Sequence, residues 1–197
     1  MSARERHAAT YARLRAPVAV FGLVAAAYLA WLPARTWVWF SGHPFTMTLA
    51  AVPLAVNAAL VKKVGGFDNT VLHGNLLSLA VFLMLVGFYV IYENKERMNK
   101  EHYATWHAWI GLVAIGGFLG SACLAFVGLH PQYGALKTSQ AVRFLHRWGG
   151  RSNLVLAWVA CATGFVKLQP DPSIQALFAV PLAYLAWVVL RPAPAAK

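Results

Sequence analysis

The chain has 197 residues, of which 59% are hydrophobic and only 12% are charged, and its mean hydropathy is +0.56. This balance excludes an ordinary soluble domain and predicts an integral, multi-pass membrane protein. The net charge of +11 is spread over both ends and the short loops, which argues against nucleic-acid binding and is typical of a protein in contact with anionic membrane lipid.

Long apolar runs separated by charged turns predict six membrane-spanning helices, and so an all-α fold in a single domain, residues 1–197. A basic segment, 1–16, comes first and is typical of a cytoplasmic N-terminus or of a mitochondrial presequence. The last stretch, 191–197, is a Pro/Ala tail. The spans lie at about 17–37, 45–61, 71–92, 103–129, 142–166 and 173–190.

The Lys and Arg residues of the loops predict the orientation of the chain. With six spans, twelve of the 17 Lys and Arg residues fall on the side of the N-terminus and five on the opposite side. Because cytoplasmic loops carry the excess of Lys and Arg, both termini are expected in the cytoplasm, or in the matrix of a mitochondrion. The expected membrane is an endomembrane or the mitochondrial inner membrane. Below, the side of the termini is called the near side and the other the far side.

Four consecutive predicted helices each carry one histidine near the N-terminal end. Because neighbouring helices run in opposite directions, the four residues fall into two groups at opposite faces of the membrane. His43 and His107 meet on the far side, and His73 and His146 meet on the near side. An ionisable side chain inside a span is costly, so each pair is a candidate functional site.

Two imidazoles from different helices of one bundle are what bis-histidine haem ligation requires. Structural zinc usually needs four ligands at one site, and copper or non-haem iron would also need sulfur or carboxylate ligands. All six Asp and Glu residues lie outside the spans, which also argues against a proton relay. Haem is therefore the best-fitting cofactor, with these four histidines as iron ligands and helices two to five as a four-helix di-haem core.

Small and polar residues near the histidines are further candidates for haem contacts. Gly111 and Gly150 each lie four residues after a histidine, on the same helix face, where a missing side chain leaves room for a porphyrin edge. Ordinary helix packing explains each glycine equally well. Asn57, Asn75 and Asn153 could bond a haem propionate or the second nitrogen of a ligand histidine, or form ordinary interhelical hydrogen bonds.

His102 and Lys100 lie on the far surface, a few residues before His107. Their position beside the predicted far-side haem makes this surface a candidate docking site for an electron acceptor.

The motifs around these histidines resemble those of the cytochrome b561 family, and in particular its short branch, which consists of little more than the six-helix core. Nearly the whole chain takes part in the resemblance. The segments that carry it are Gly42-His43-Pro44-Phe45-Thr46-Met47, Leu72-His73-Gly74, His102 to Gly111 and Leu145-His146-Arg147-Trp148-Gly149-Gly150.

The resemblance implies two haem b groups, held by the two histidine pairs. It also implies a transmembrane, ascorbate-dependent ferric reductase type of oxidoreductase. Electrons would pass from an ascorbate-like donor on the near side to a ferric chelate or monodehydroascorbate on the far side. One departure concerns the donor: basic residues that typically precede the third-helix histidine are missing from residues 67–72. The donor site would then be built from Lys62, Lys63, Lys137, Arg143 and Arg147.

A second interpretation is a haem-binding or structural accessory subunit of a larger, possibly mitochondrial respiratory, membrane complex. The tails at both ends motivate it, because such tails are usually disordered unless a partner holds them. The expected assembly is accordingly a homodimer or one subunit of such a complex.

Overall fold

The computed structural model describes residues 3–191, without the side chains of residues 3, 4 and 7. The described residues form a bundle of six long helices and contain no strand. The predicted all-α class and six-helix bundle are therefore confirmed. The helices are α1 (Ala3–Trp31), α2 (Trp39–Val64), α3 (Phe67–Arg97), α4 (Trp106–Leu129), α5 (Gln140–Leu168) and α6 (Pro172–Leu190).

Five of these helices are long and apolar enough to cross a membrane, and α5 is the exception. Its 29 residues are sufficient in length, but the first half carries Arg143, Arg147 and Arg151. Several helices also continue beyond the predicted spans: α1 includes most of the basic segment, and α3 reaches Arg97. Hydropathy marks only the apolar part of a helix. Polar residues that prolong a helix past the bilayer therefore fall outside the predicted span. Of the predicted tail, residues 192–197 lie outside the described part.

Local signals fix where the helices begin. The hydroxyl of Thr105 accepts a hydrogen bond from the amide of Ala108 at the start of α4, and Ser139 caps α5 in the same way. The carboxylate of Asp171 caps α6. These side chains bond amides that have no partner within the helix.

Helix α2 is the centre of the bundle. In its apolar stretch 72% of the residues are buried, against 11–28% in the other four candidate spans. Small residues of its neighbours allow this burial. A Cβ atom on Gly22 of α1 would collide with the ring of Pro53, and one on Gly87 of α3 would collide with Thr46.

The middle of α2 contains one turn of π-helix, Ala50–Leu54, which includes Pro53. There the amide of Ala55 bonds the carbonyls of Ala50 and Val52 instead of that of Ala51. The indole Nε1 of Trp158, on α5, donates a hydrogen bond to the Ala51 carbonyl at 3.0 Å. A buried carbonyl that the helix leaves without its usual partner is thus satisfied by another helix.

Candidate metal centres

The far pair of histidines comes from the N-terminal ends of α2 and α4. The ring centres of His43 and His107 are 6.1 Å apart, with an angle of 85° between the ring planes. His43 Nδ1 donates to the carbonyl of Gly87 at 2.9 Å, and His107 Nδ1 donates to that of Ala160 at 2.9 Å. Since a carbonyl can only accept, Nδ1 carries the proton in both rings and Nε2 keeps its lone pair for a metal.

The near pair repeats this arrangement between α3 and α5. The ring centres of His73 and His146 are 6.4 Å apart, again with planes at 85°. His73 Nδ1 donates to the carbonyl of Ala58 at 3.0 Å. His146 differs, because its Nδ1 is buried and has no hydrogen-bond partner among the described residues.

Both spacings fit two imidazoles that bind one iron from opposite sides. A metal–imidazole bond of about 2.0–2.1 Å, plus about 1.1 Å from the nitrogen to the ring centre, separates two coaxial ring centres by about 6.3 Å. The tautomer of three of the rings also leaves Nε2 free for coordination. The residues present therefore fit a bis-histidine haem at each end of the bundle.

A cavity of about 330 Å³ adjoins the far pair. Its lining includes both histidines, the predicted Gly111 and two methionines, Met47 and Met84. Gly164 also lines it, and a Cβ atom there would lie 2.9 Å from Cε1 of His107. The absent side chain of Gly164 thus leaves room for the imidazole itself.

The other residues predicted to contact haem make no hydrogen bond to the four histidines among the described residues. A Cβ atom on Gly150 would meet nothing within 4 Å, so there is open space at this glycine. Asn57 bonds the carbonyl of Pro53 in its own helix, and Asn153 bonds the hydroxyl of Ser121 across α4 and α5. Asn75 is exposed on α3 and makes no hydrogen bond to another described residue.

The far-side mouth of the cavity is lined by Lys95, His102, Tyr103 and Lys167. His102 Nε2 lies 2.6 Å from a carboxylate oxygen of Glu96, and its ring stacks on Tyr92 at 4.4 Å. The predicted Lys100 is not among the lining residues. Sequence reasoning missed Lys95 and Lys167, because they lie near the ends of two different helices and converge only in the folded bundle.

On the near side, the five predicted cations separate into groups. Lys62 Nζ donates to the hydroxyl of Thr70 at 2.8 Å, and its charge acts on Arg143 and on both near-side histidines. Lys63 instead bonds the backbone carbonyl of Arg191 at 2.6 Å. Lys137 is tied to the carbonyl of Gln132 in its own loop. Arg147 is exposed and forms no ion pair with another described residue.

The four histidines lie within residues 42–169, which match the model of the family described as eukaryotic cytochrome b561. The chain belongs to the cytochrome b561 family. It is therefore related to membrane cytochromes that bind haem b and act as electron-transport oxidoreductases. Five candidate spans and this family make it an integral, multi-pass membrane protein.

Two curated relatives of this cytochrome are reductases. The transmembrane reductase CYB561D2 of Bos taurus is 30% identical over 138 residues, 66% of this chain and 62% of that protein. The lysosomal membrane ascorbate-dependent ferrireductase CYB561A3 of Danio rerio is 24% identical over 131 residues, 64% of this chain and 53% of that protein. The matched regions thus cover less than two thirds of either relative.

Proposed function

We propose that this cytochrome transfers electrons across the membrane through two haem b groups, one held by His43 and His107 and the other by His73 and His146. The observation that carries the proposal is the repeated geometry, two histidine pairs of nearly equal spacing at opposite ends of one bundle. A bis-histidine haem supplies one-electron transfer, because its iron alternates between the ferric and ferrous states.

The bundle determines the distance between the two centres and keeps water away from the space between them. Along α5, His146 belongs to the near pair, and the Ala160 carbonyl bonds His107 of the far pair. Position 160 follows position 146 by 14 helical steps, which correspond to about 21 Å of helix. Buried apolar side chains, among them Val56, Phe118 and Leu154, fill the core of the bundle.

On the near side, Lys62 and Arg143 are suited to binding an anionic donor such as ascorbate. Their positive charges lie near each other with no carboxylate in an ion pair with either among the described residues, and Lys62 acts on both near-side histidines. An anion would relieve this repulsion. The word ascorbate in the name of the Danio rerio relative agrees with this donor class.

On the far side, Lys95 and Lys167 would attract an anionic acceptor, a ferric chelate or monodehydroascorbate, to the cavity that adjoins His43 and His107. His102 and Tyr103 also line this mouth and offer polar groups to orient the acceptor. The proposed reaction is therefore that of a transmembrane, ascorbate-dependent ferric reductase.

The test is the haem content of the purified protein and of His107→Ala. We expect two reducible haems per chain in the wild type and one in the variant, because the far centre loses an axial ligand. His102→Ala is the matched control, since His102 lies at the same surface but outside both pairs, and it should keep two haems. Quantitative haem assay and reduced-minus-oxidised absorbance spectra supply the measurement. Retention of both haems in His107→Ala would refute the ligand assignment.

A further inference from the structure

A group of three cations lies on the near side, apart from the proposed donor site. It consists of Lys63, Arg151 and Arg191, from the ends of α2 and α6 and the first half of α5, and is called the Lys63 cluster below. Lys63 Nζ donates to the backbone carbonyl of Arg191 at 2.6 Å, and the positive charge of Arg151 also reaches Lys63. Lys62, the neighbouring residue, contacts Thr70 and not this cluster. Successive helical residues point about 100° apart, so the two lysines serve two different surfaces.

Aromatic rings hold the three cations in place. Tyr11 of α1 is 1% exposed, and its ring centre lies 5.4 Å from Lys63 Nζ and 5.9 Å from Arg191 Cζ. Arg191 also lies 4.4 Å from the ring of Trp187, and Arg151 lies 5.3 Å from that of Trp148. Cation–π contacts fix the position of a cation but leave its charge unneutralised.

The charge of the Lys63 cluster is not balanced within the described part of the chain. The ion pairs there, Arg97 with Glu93 and His102 with Glu96, both lie on the far side. Each of the three cluster residues is partly exposed. The cluster therefore repels itself and is accessible to an anion from outside the chain.

A stripe of exposed apolar side chains on α6 leads up to this cluster. Leu177 and Val180 are each 69% exposed, Tyr184 is 49% and Trp187 is 59% exposed. Their spacing of three and four residues places them on one helix face, and the next position of that face is Arg191. The 14 helical steps from Leu177 to Arg191 rise about 21 Å, which exceeds one leaflet of about 15 Å.

We propose that the Lys63 cluster binds the phosphate headgroup of an anionic phospholipid whose acyl chains lie along the apolar stripe of α6. A free phosphate ion could meet the cations but would leave the stripe unused. A zwitterionic lipid would bring a cation of its own to the cluster. Basic pockets between transmembrane helices on the cytoplasmic side are suited to anionic headgroups. This site does not depend on the haems or on the donor.

Native mass spectrometry of the haem-loaded protein in mild detergent tests the proposal with two lipids of identical acyl chains. We expect phosphatidylglycerol to bind at least about ten-fold more tightly than phosphatidylcholine. Each cation near a membrane surface contributes roughly five-fold to binding, so Lys63→Gln combined with Arg191→Gln should weaken phosphatidylglycerol binding by about 25-fold. Lys62→Gln is the matched control, with the same charge change one residue away, and should bind as the wild type does.

Two further measurements distinguish a lipid site from a free-phosphate site and from a loss of folding. Inorganic phosphate at millimolar concentration should not displace phosphatidylglycerol, whereas its displacement would identify a site for free phosphate and overturn the proposal. Arg191→Lys changes the same side chain but keeps its charge, and it should keep the affinity for phosphatidylglycerol. It therefore separates the loss of charge from the loss of the native side chain at this position. If that variant does not fold, Arg151→Gln alone should lose about five-fold. Equal binding of the two lipids, or unchanged affinity in Arg151→Gln and the double variant, would refute the site.

Discussion

At the scale of single residues, the four histidines differ in how firmly they are oriented. Three donate from Nδ1 to a backbone carbonyl of a neighbouring helix, which fixes both the tautomer and the ring direction. His146 has no such bond among the described residues. A hydrogen bond to a carbonyl makes an imidazole a more electron-rich ligand, so the two proposed centres have unequal ligand sets. That inequality is one means of giving them different reduction potentials.

Gly164→Ala is expected to weaken haem binding at the far pair. The added Cβ atom would lie 2.9 Å from Cε1 of His107 and would push the imidazole from its position. Changes that displace a metal ligand indirectly usually cost 10–100-fold in affinity, and we expect a loss on the order of ten-fold. The measurement is a titration of the haem-free protein with haem. The two centres are distinguished by their reduction potentials.

Gly116→Ala is the matched control for this substitution, because its Cβ atom would meet nothing within 4 Å. Equal haem affinity in the two variants would contradict the assigned role of Gly164.

The sequence identified the histidines but not the residues that support them. Each histidine lies near the start of an apolar run, and the alternation of helix direction then decides its partner. Gly164 carries no comparable signal, because its function depends on how closely α4 approaches α5. Tyr103 has the left-handed backbone angle φ of 55° and lies at the cavity mouth, and no feature of its local sequence predicts either property.

At the scale of the helices, the π-turn of α2 connects the central helix to α5. The Trp158 indole bonds the Ala51 carbonyl, and α5 carries both His146 and the carbonyl that orients His107. Helix α2 in turn carries His43 and the Ala58 carbonyl that orients His73. The two helices together therefore support both proposed centres.

Trp158→Phe should destabilise the bundle by about 1–3 kcal/mol, because it leaves the buried Ala51 carbonyl without this donor while preserving most of the apolar ring. The measurement is the free energy of unfolding in detergent, followed by circular dichroism. Trp109→Phe removes an indole that is 51% exposed, and it should change the stability by less than about 0.5 kcal/mol. An equally small change in the free energy of unfolding of Trp158→Phe would show that the hydrogen bond to the Ala51 carbonyl contributes little to stability.

The existence of each helix was predictable, because an apolar run must satisfy its own backbone in lipid. The π-turn was not. Proline is compatible with several helix distortions, and the choice among them here depends on the packing of Gly22 against Pro53 and on the donor that Trp158 brings from α5.

At the scale of the whole molecule, the distribution of charge predicts the orientation in the membrane. The loop between α4 and α5 should face the cytoplasm or matrix, and the loop between α3 and α4 should face the opposite side. In a background with Cys123→Ala and Cys161→Ala, a membrane-impermeant maleimide applied from the far side should label Lys100→Cys and not Lys137→Cys.

Permeabilised membranes supply the control for this experiment, since both positions should then react. Labelling of Lys137→Cys alone in intact membranes would show that the orientation is opposite to the predicted one. The proposed direction of electron flow would then be reversed as well.

Six helices were predicted correctly even though α5 is less apolar than the others. The apolar run at about 142–166 predicted it, while its arginines lowered its hydropathy. The near-side cations could be predicted only in part. The sequence predicts how many there are. Their division into a group around Lys62 and a group around Lys63 depends on the positions of Thr70, Arg143 and Arg191 in the folded chain.

The π-turn also limits which insertions and deletions α2 can tolerate. The π-turn already contains one residue more than an α-helical turn, so one further residue added to Ala50–Leu54 would rotate one half of the helix by about 100° against the other. His43 in the first half and the Ala58 carbonyl in the second could then not both keep their present partners on α3. One residue inserted in the middle of the membrane would therefore break a histidine contact nearer one of its surfaces, about one to two turns away.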